Sequence, residues 1–177
     1  MPARGAAADF DERQTFHPQI LRDVLGCFPT GVAVVTAVTP DGDLHGVTIN
    51  SFNSVSLDPP LVLFSLSRDL NSLPALESAA AFAINILRDD QAHLSSRFAT
   101  ALTDKWSGIE YRAGFTGAPL LAPALAVLEC RPYAQYDGGD HVIFVLRVTH
   151  IEADATRNPL VFFRGRYHTL ATPEQNQ

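Results

Sequence analysis

The chain is poor in cysteine: Cys27 and Cys130 are the only two in 177 residues. That excludes a scaffold held together by several disulfides and fits a reducing, cytoplasmic setting. Both stand in apolar stretches, LGCFP and VLECRP, where cysteine usually serves as a small buried hydrophobe. A lone disulfide or a reactive pair is the lesser alternative. Positive charge is also scarce, with 13 Lys and Arg against 19 Asp and Glu and a net charge of −6. No basic run exists, which argues against a nucleic acid or an anionic membrane surface as partner, since both need clustered cations. No apolar run approaches the ~20 residues that cross a bilayer, and MPARGAAADFDERQ at the start lacks the apolar centre of a signal peptide. Several motifs are missing too. There is no GxGxxG after the first strand, no GxxxxGK[ST] and no GxSxG, so the common dinucleotide, P-loop and acyl-transfer sites are not signalled. His17, His45, His93, His141, His150 and His168 are isolated, with no HxH or CxxC spacing. No metal site is expected, because structural zinc wants four clustered ligands.

What is present suffices for one globular domain: 46% of residues are hydrophobic and 18% charged. Residues 1–15 are read as a flexible tail, 16–172 as the domain and 173–177 as a second tail. Phe16, Ile20, Leu21, Val24 and Leu25 recur at helical spacing and predict a short amphipathic helix over 16–27. A β-branched strand over 31–39 and its partner over 44–50 flank the turn Pro40-Asp41-Gly42-Asp43. Next comes a run of small hydroxyls and amides, Asn50, Ser51, Asn53, Ser54 and Ser56, closed by Pro59-Pro60. Strands follow over 61–66 and 81–87, with a helix between them that starts at Asn71-Ser72. A third helix is predicted over 89–100, and 101–121 reads as irregular. Two longer strands, 124–134 and 141–153, are joined by a glycine-containing hairpin over 135–140, and a last strand covers 160–163. About seven strands and three short helices, linked mostly by hairpins, predict a closed or partly closed antiparallel barrel with helices at its rim.

Three features could carry chemistry. The hydroxyl and amide run beside a rigid sheet suits a planar ligand rich in carbonyl and ring-nitrogen acceptors, a flavin above all. The helix start at Asn71-Ser72 offers free backbone N–H groups to a phosphate, although most such residues simply cap their helix. Arg97, followed by Phe98, could supply a charge partner and lie against a ring. The Gly138-Gly139-Asp140-His141 hairpin sets a histidine at the mouth of a strand, where it can donate to a carboxamide or a phosphate. A solvated hairpin histidine is the plainer reading. No activated nucleophile is signalled, so the pattern suits a protein whose cofactor carries the reactivity.

Several segments together, over roughly residues 20–170, resemble one known family. They are Phe28-Pro29-Thr30-Gly31-Val32, Gly46-Val47-Thr48-Ile49-Asn50-Ser51-Phe52, Ser54-Val55-Ser56-Leu57-Asp58-Pro59-Pro60-Leu61-Val62, Leu73-Pro74-Ala75-Leu76, Gly138-Gly139-Asp140-His141 and Gly165-Arg166-Tyr167. In this order they resemble the short-chain flavin reductases, the small partners of two-component flavin-dependent monooxygenases. The resemblance implies a mainly β fold, the FMN-binding split β-barrel, a Greek-key antiparallel barrel with short helices. It also implies a homodimer, reduction of FMN or FAD by NADH or NADPH, and a monooxygenase supplied through diffusible reduced flavin. By the same resemblance Thr30, Thr48, Ile49, Asn50, Ser51, Ser54, Val55, Ser56 and Tyr167 contact the flavin. Asn71, Ser72, Arg97 and Phe98 take its phosphate end, and His141 meets the nicotinamide. Where the family often has Ser or Thr, this chain has Asn71, and Asn53 likewise departs from the pattern. More distantly, the chain is similar to pyridoxamine-phosphate-oxidase-like barrels, some of which only bind a flavin or haem.

Overall fold

The computed structural model describes residues 17–101, 104–154 and 156–171, so the two expected tails and Phe16 lie outside the described residues. Helix α1 covers Pro18–Leu25 and is followed by β1 Thr30–Gly31, β2 Ala33–Val38, β3 Leu44–Ile49, β4 Asn53–Leu57 and β5 Pro60–Ser67. Helix α2, Leu73–Ser78, leads into β6 Phe82–Ile86, and α3, Ala92–Ala99, into the short β7 Tyr111–Ala113 and β8 Pro119–Leu121. Two long strands, β9 Ala126–Gly138 and β10 His141–Ala153, precede β11 Val161–Phe163 and β12 Arg166–His168. Seven strands form one antiparallel sheet in the order β3-β2-β6-β9-β10-β5-β4.

The central strand β2, AVVTAV, is buried along nearly its whole length. Its side chains alternate between faces as a strand requires. Ala33, Val35 and Ala37 enter one apolar cluster, while Val32, just before the strand, and Val34 enter another against Leu94 and Phe98 of α3. The first cluster draws on β2, β3, β5, β6, β9, β10 and α2. At its centre Phe64 of β5 stacks on Phe144 of β10 at 5.1 Å, and Phe82 of β6 meets both edge-on at 6.2 Å. In a flat sheet β5 and β6 would stand about 14 Å apart, three strand spacings; the ring contacts show that the sheet curls around this core. Ser51, just past β3, spans the gap to the other side: its Oγ donates to Ser65 O and accepts from Ser65 N, both at 3.0 Å.

Of the buried side-chain polar atoms in this sheet, Glu129 Oε1 alone among the described residues lacks a partner. Asn85 donates to Val34 O at 3.0 Å and to Thr36 Oγ1 at 3.1 Å, and accepts from Leu121 N at 2.9 Å, which ties β8 to the sheet.

Several expectations change. The polar run after residue 50 is itself a strand, β4 on the sheet edge, and a register shift between Ser54 and Ser56 leaves Val55 as the extra residue of a bulge. Small hydroxyls carry little strand signal, so composition conceals it. Twelve strands occur among the described residues, not about seven: three-residue strands such as β7, β8 and β12 are too short to show a period. The strand expected to end at residue 134 continues to Gly138, leaving only Gly139-Asp140 as the turn. Cys27, expected to be buried, is exposed, and only Cys130 is buried; both are free thiols. The cause lies in α1, whose apolar residues Ile20, Leu21, Val24 and Leu25 are all exposed, so its C-terminal end has no core to enter.

Candidate functional site

Three clefts meet at Asn50, the residue after β3. One, of about 200 Å³, is lined by Thr48, Ile49 and Asn50 together with Ser95, Phe162 and Tyr167. A second, of about 310 Å³, runs along Phe28, Thr30, Phe52 and Asn53. The third, of about 760 Å³, lies between α1 and the β11–β12 turn, with Arg22, Cys27, Thr30, Phe162 and Arg164 on its walls. Chain segments far apart in sequence thus converge. β1 pairs with β11, Thr30 opposite Phe162, and β11 carries β12 back to Tyr167.

A short relay shapes the first cleft. Thr48 Oγ1 donates to Ser95 O at 2.6 Å, and Ser95 Oγ meets Tyr167 OH at 2.8 Å, so β3, α3 and β12 hold one another in place. The hydroxyls of Thr48 and Ser51 are therefore committed to the protein. Others are not. Thr30 Oγ1 is buried with no hydrogen-bond partner, and the amide of Asn50 is exposed without a partner among the described residues. A buried polar atom left unpaired costs stability unless something satisfies it.

Ser54 and Val55 are exposed on the edge strand, and Ser56 is half-buried. Asn71 is exposed; Ser72 occupies the N-cap of α2, yet its side chain makes no cap hydrogen bond. Arg97 is held elsewhere. Its Nε donates to Lys105 O at 2.6 Å and its Nη2 to Ser107 O at 2.7 Å, and it lines a separate cleft that none of the residues 48–56 reaches. Phe98 corrects an expectation: its ring is fully buried against Trp106, at 5.2 Å, and has no surface to lie against a ligand. The ring occupies the space above Gly46, where a Cβ would come within 2.4 Å of it. Glycine inside a strand signals such an approach.

His141 opens β10, opposite Gly138 on β9 and Ser67 on β5. Its Nδ1 lies 2.7 Å from Asp140 Oδ1, and that hydrogen bond, with the attraction of the imidazole, holds the Asp140 carboxyl below its ordinary value. His141 lines none of the three clefts. It is nonetheless near in register: Ser65, which holds Ser51, stands two residues, roughly 7 Å, along β5 from Ser67.

Sequence reasoning missed Ser95, Phe162, Phe28, Arg22 and Arg164. Of these only Arg164 carries a backbone signal, a φ of 48°, the one positive value at a non-glycine residue among those described. Its N–H donates to Gly26 O at 3.0 Å and ties the β11–β12 turn to the end of α1.

Apolar walls with a few uncommitted donors, in a mainly β protein, are the features a site for a small organic molecule needs. Comparison with known proteins makes this specific. Residues 25–171 match the flavin reductase like domain, and the chain belongs to that family. It is 44% identical over 149 residues to the FMN reductase (NADH) SmoA of Agrobacterium fabrum, covering 82% of each chain. To the reductase subunit HsaB of a flavin-dependent monooxygenase from Rhodococcus jostii it is 36% identical over 154 residues, 87% of this chain and 78% of the other. Among solved structures, the Streptomyces globisporus NADH:FAD oxidoreductase SgcE6 in complex with NAD and FAD fragments superposes with a TM-score of 0.83 at 37% identity, over 90% of this chain and 96% of that one.

Proposed function

We propose that this protein is an NAD(P)H-dependent flavin reductase that supplies reduced FMN or FAD to a partner monooxygenase, acting as a cytoplasmic homodimer built on the split barrel. The observation that carries the reading is the meeting of three clefts at Asn50, with its free amide and the unpaired, buried Thr30 hydroxyl. Both groups fit the carbonyls and ring nitrogens of an isoalloxazine, and Phe28, Phe52 and Phe162 fit its apolar faces. When bound, the flavin supplies the redox chemistry, accepting a hydride from the dihydronicotinamide. The chain's own part is to orient and to exclude water. Thr30 and Asn50 donate hydrogen bonds, and Thr48 and Ser95 fix the wall that carries Tyr167, whereas Ser54, Val55 and Ser56 line none of the three clefts. His141 orients the nicotinamide, with no proton transfer asked of it.

The curled sheet with its Ser51–Ser65 bridge supports closure into the split barrel. The uncovered apolar face of α1, beside the largest of the three clefts, supports a second subunit completing the ligand's wall. The sequence holds no run of Lys and Arg of the kind that would bind a 2′-phosphate, which favours NADH as donor.

Adding NADH to the flavin-loaded protein without oxygen should bleach the flavin's visible absorbance. Binding and fluorescence quenching with NADH left unoxidised would instead identify a non-catalytic flavin carrier.

A further inference from the structure

The two-residue turn that presents His141 is held from below by a residue outside the motif. Arg68 directly follows β5, whose last residue, Ser67, pairs with His141. It makes two hydrogen bonds to the turn and one to the strand that enters it: its N–H donates to Asp140 O at 2.9 Å, its Nε to Gly139 O at 2.9 Å, and its Nη2 to Asp137 Oδ1, near the end of β9, at 2.6 Å. The turn itself is spare. Gly139 has φ +76°, a Cβ at Gly138 would sit a tight 3.1 Å from Ile143 Cγ1, and residues 137–140 are all exposed. So exposed a tip has little packing to keep it still. Asp140 in turn holds the His141 ring through Nδ1 at 2.7 Å.

We propose that Arg68 is a positioning residue for the reductase reaction, clamping the Gly139-Asp140 turn so that Asp140 fixes the orientation of the His141 imidazole toward the nicotinamide. This rests on the reading of His141 given above. The Arg68 and Asp137 side chains are 47% and 80% exposed, and an ion pair so open to water adds little to global stability. What the guanidinium supplies is geometry: Nε and Nη2 lie in one rigid plane and reach two acceptors at once, which a lysine ammonium cannot reproduce.

The test compares Arg68→Met, Arg68→Lys and Asp137→Asn in the full-length protein. Arg68→Met should raise the KM for NADH roughly 5–10-fold, the loss of about one hydrogen bond, with flavin Kd and melting temperature unchanged. Asp137→Asn should raise it less, and Arg68→Lys should recover only part of the loss. In a His141→Ala background, Arg68→Met should add nothing further. A full additional loss in that background, or an unchanged KM in the single variant, overturns the proposal. An independent readout is the ¹⁵N spectrum of the His141 ring. A shifted Nδ1 signal in Arg68→Met supports the clamp even if the wild-type protein never oxidises NADH, a result that would sink the reductase reading alone. An unshifted signal overturns the clamp whatever the activity.

Discussion

Thr30 offers the cleanest separation of ligand binding from folding. Its hydroxyl is buried and unpaired, so Thr30→Val removes a group the folded protein does not satisfy. The variant should match or exceed the wild type in thermal stability, while flavin Kd rises about 5–10-fold, near 1 kcal/mol for one hydrogen bond. Unchanged affinity in a titration followed by flavin fluorescence would remove Thr30 from the site. Arg97 calls for the opposite expectation. With Nε and Nη2 committed to Lys105 O and Ser107 O, Arg97→Ala should loosen that loop and weaken FMN and riboflavin equally. A loss confined to FMN would restore its predicted role at the phosphate. The cysteines differ as well: burial, then the nearby Glu129 charge, pushes the Cys130 thiol up to about 12, whereas Cys27 is exposed. A thiol reagent at mild alkaline pH should modify Cys27 alone in the native protein and both residues after denaturation.

Among the elements, the β7–β8 hairpin is held by a buried charge. Glu129 of β9 is only 2% exposed. Its Oε2 accepts from Thr116 N at 2.8 Å and Thr116 Oγ1 at 2.9 Å. Burial alone would push this carboxyl up, but the bonds from Thr116 and Phe115 and the proximity of His150 bring it below the ordinary value. Phe115 in turn stacks on His150 at 4.6 Å. A carboxyl depressed in the folded state adds stability above its unfolded pKa, and that contribution disappears as pH falls through the folded value. Denaturation curves should therefore show stability declining on acidification below the usual carboxylate range. Glu129→Gln should flatten that decline and cost about 1–3 kcal/mol at neutral pH. Gly114 belongs to the same clasp, because a Cβ there would lie 2.4 Å from Glu129 Oε2. Gly114→Ala should consequently mimic part of the loss.

At the scale of the whole molecule, one unpartnered apolar surface lies at α1 and the segment after it, with Val24 and Leu25 each 63% exposed and Phe28 74% exposed. Single exposed apolar residues need no explanation, but a run of them beside a ligand cleft does. Light scattering should give twice the chain mass, and Leu25→Glu should shift the protein toward monomers with weaker flavin binding. A monomeric wild type that binds flavin tightly would refute the dimer.

Much of the element order could be read locally. The β-branched run of β2, the Pro40–Asp43 turn and the apolar β5 each carry their own period or punctuation, and the ordered segments from Phe28 to Tyr167 are enough to point to the family. Strand β4 was hidden because serines and asparagines take strand geometry from their neighbours' ladders, not from their own propensity. The exposure of Cys27 was equally illegible, since a helical period reports which face is apolar and not whether anything packs on it. The site itself is a tertiary product. Thr30, Asn50, Ser95, Phe162 and Tyr167 meet only because β1 pairs with β11 and α3 packs on β3. Sequence determined that Thr48 carries a hydroxyl. Packing decided that the hydroxyl is committed to Ser95 O while that of Thr30 is left free, because hydrogen-bond partners are assigned by distance in space and not along the chain.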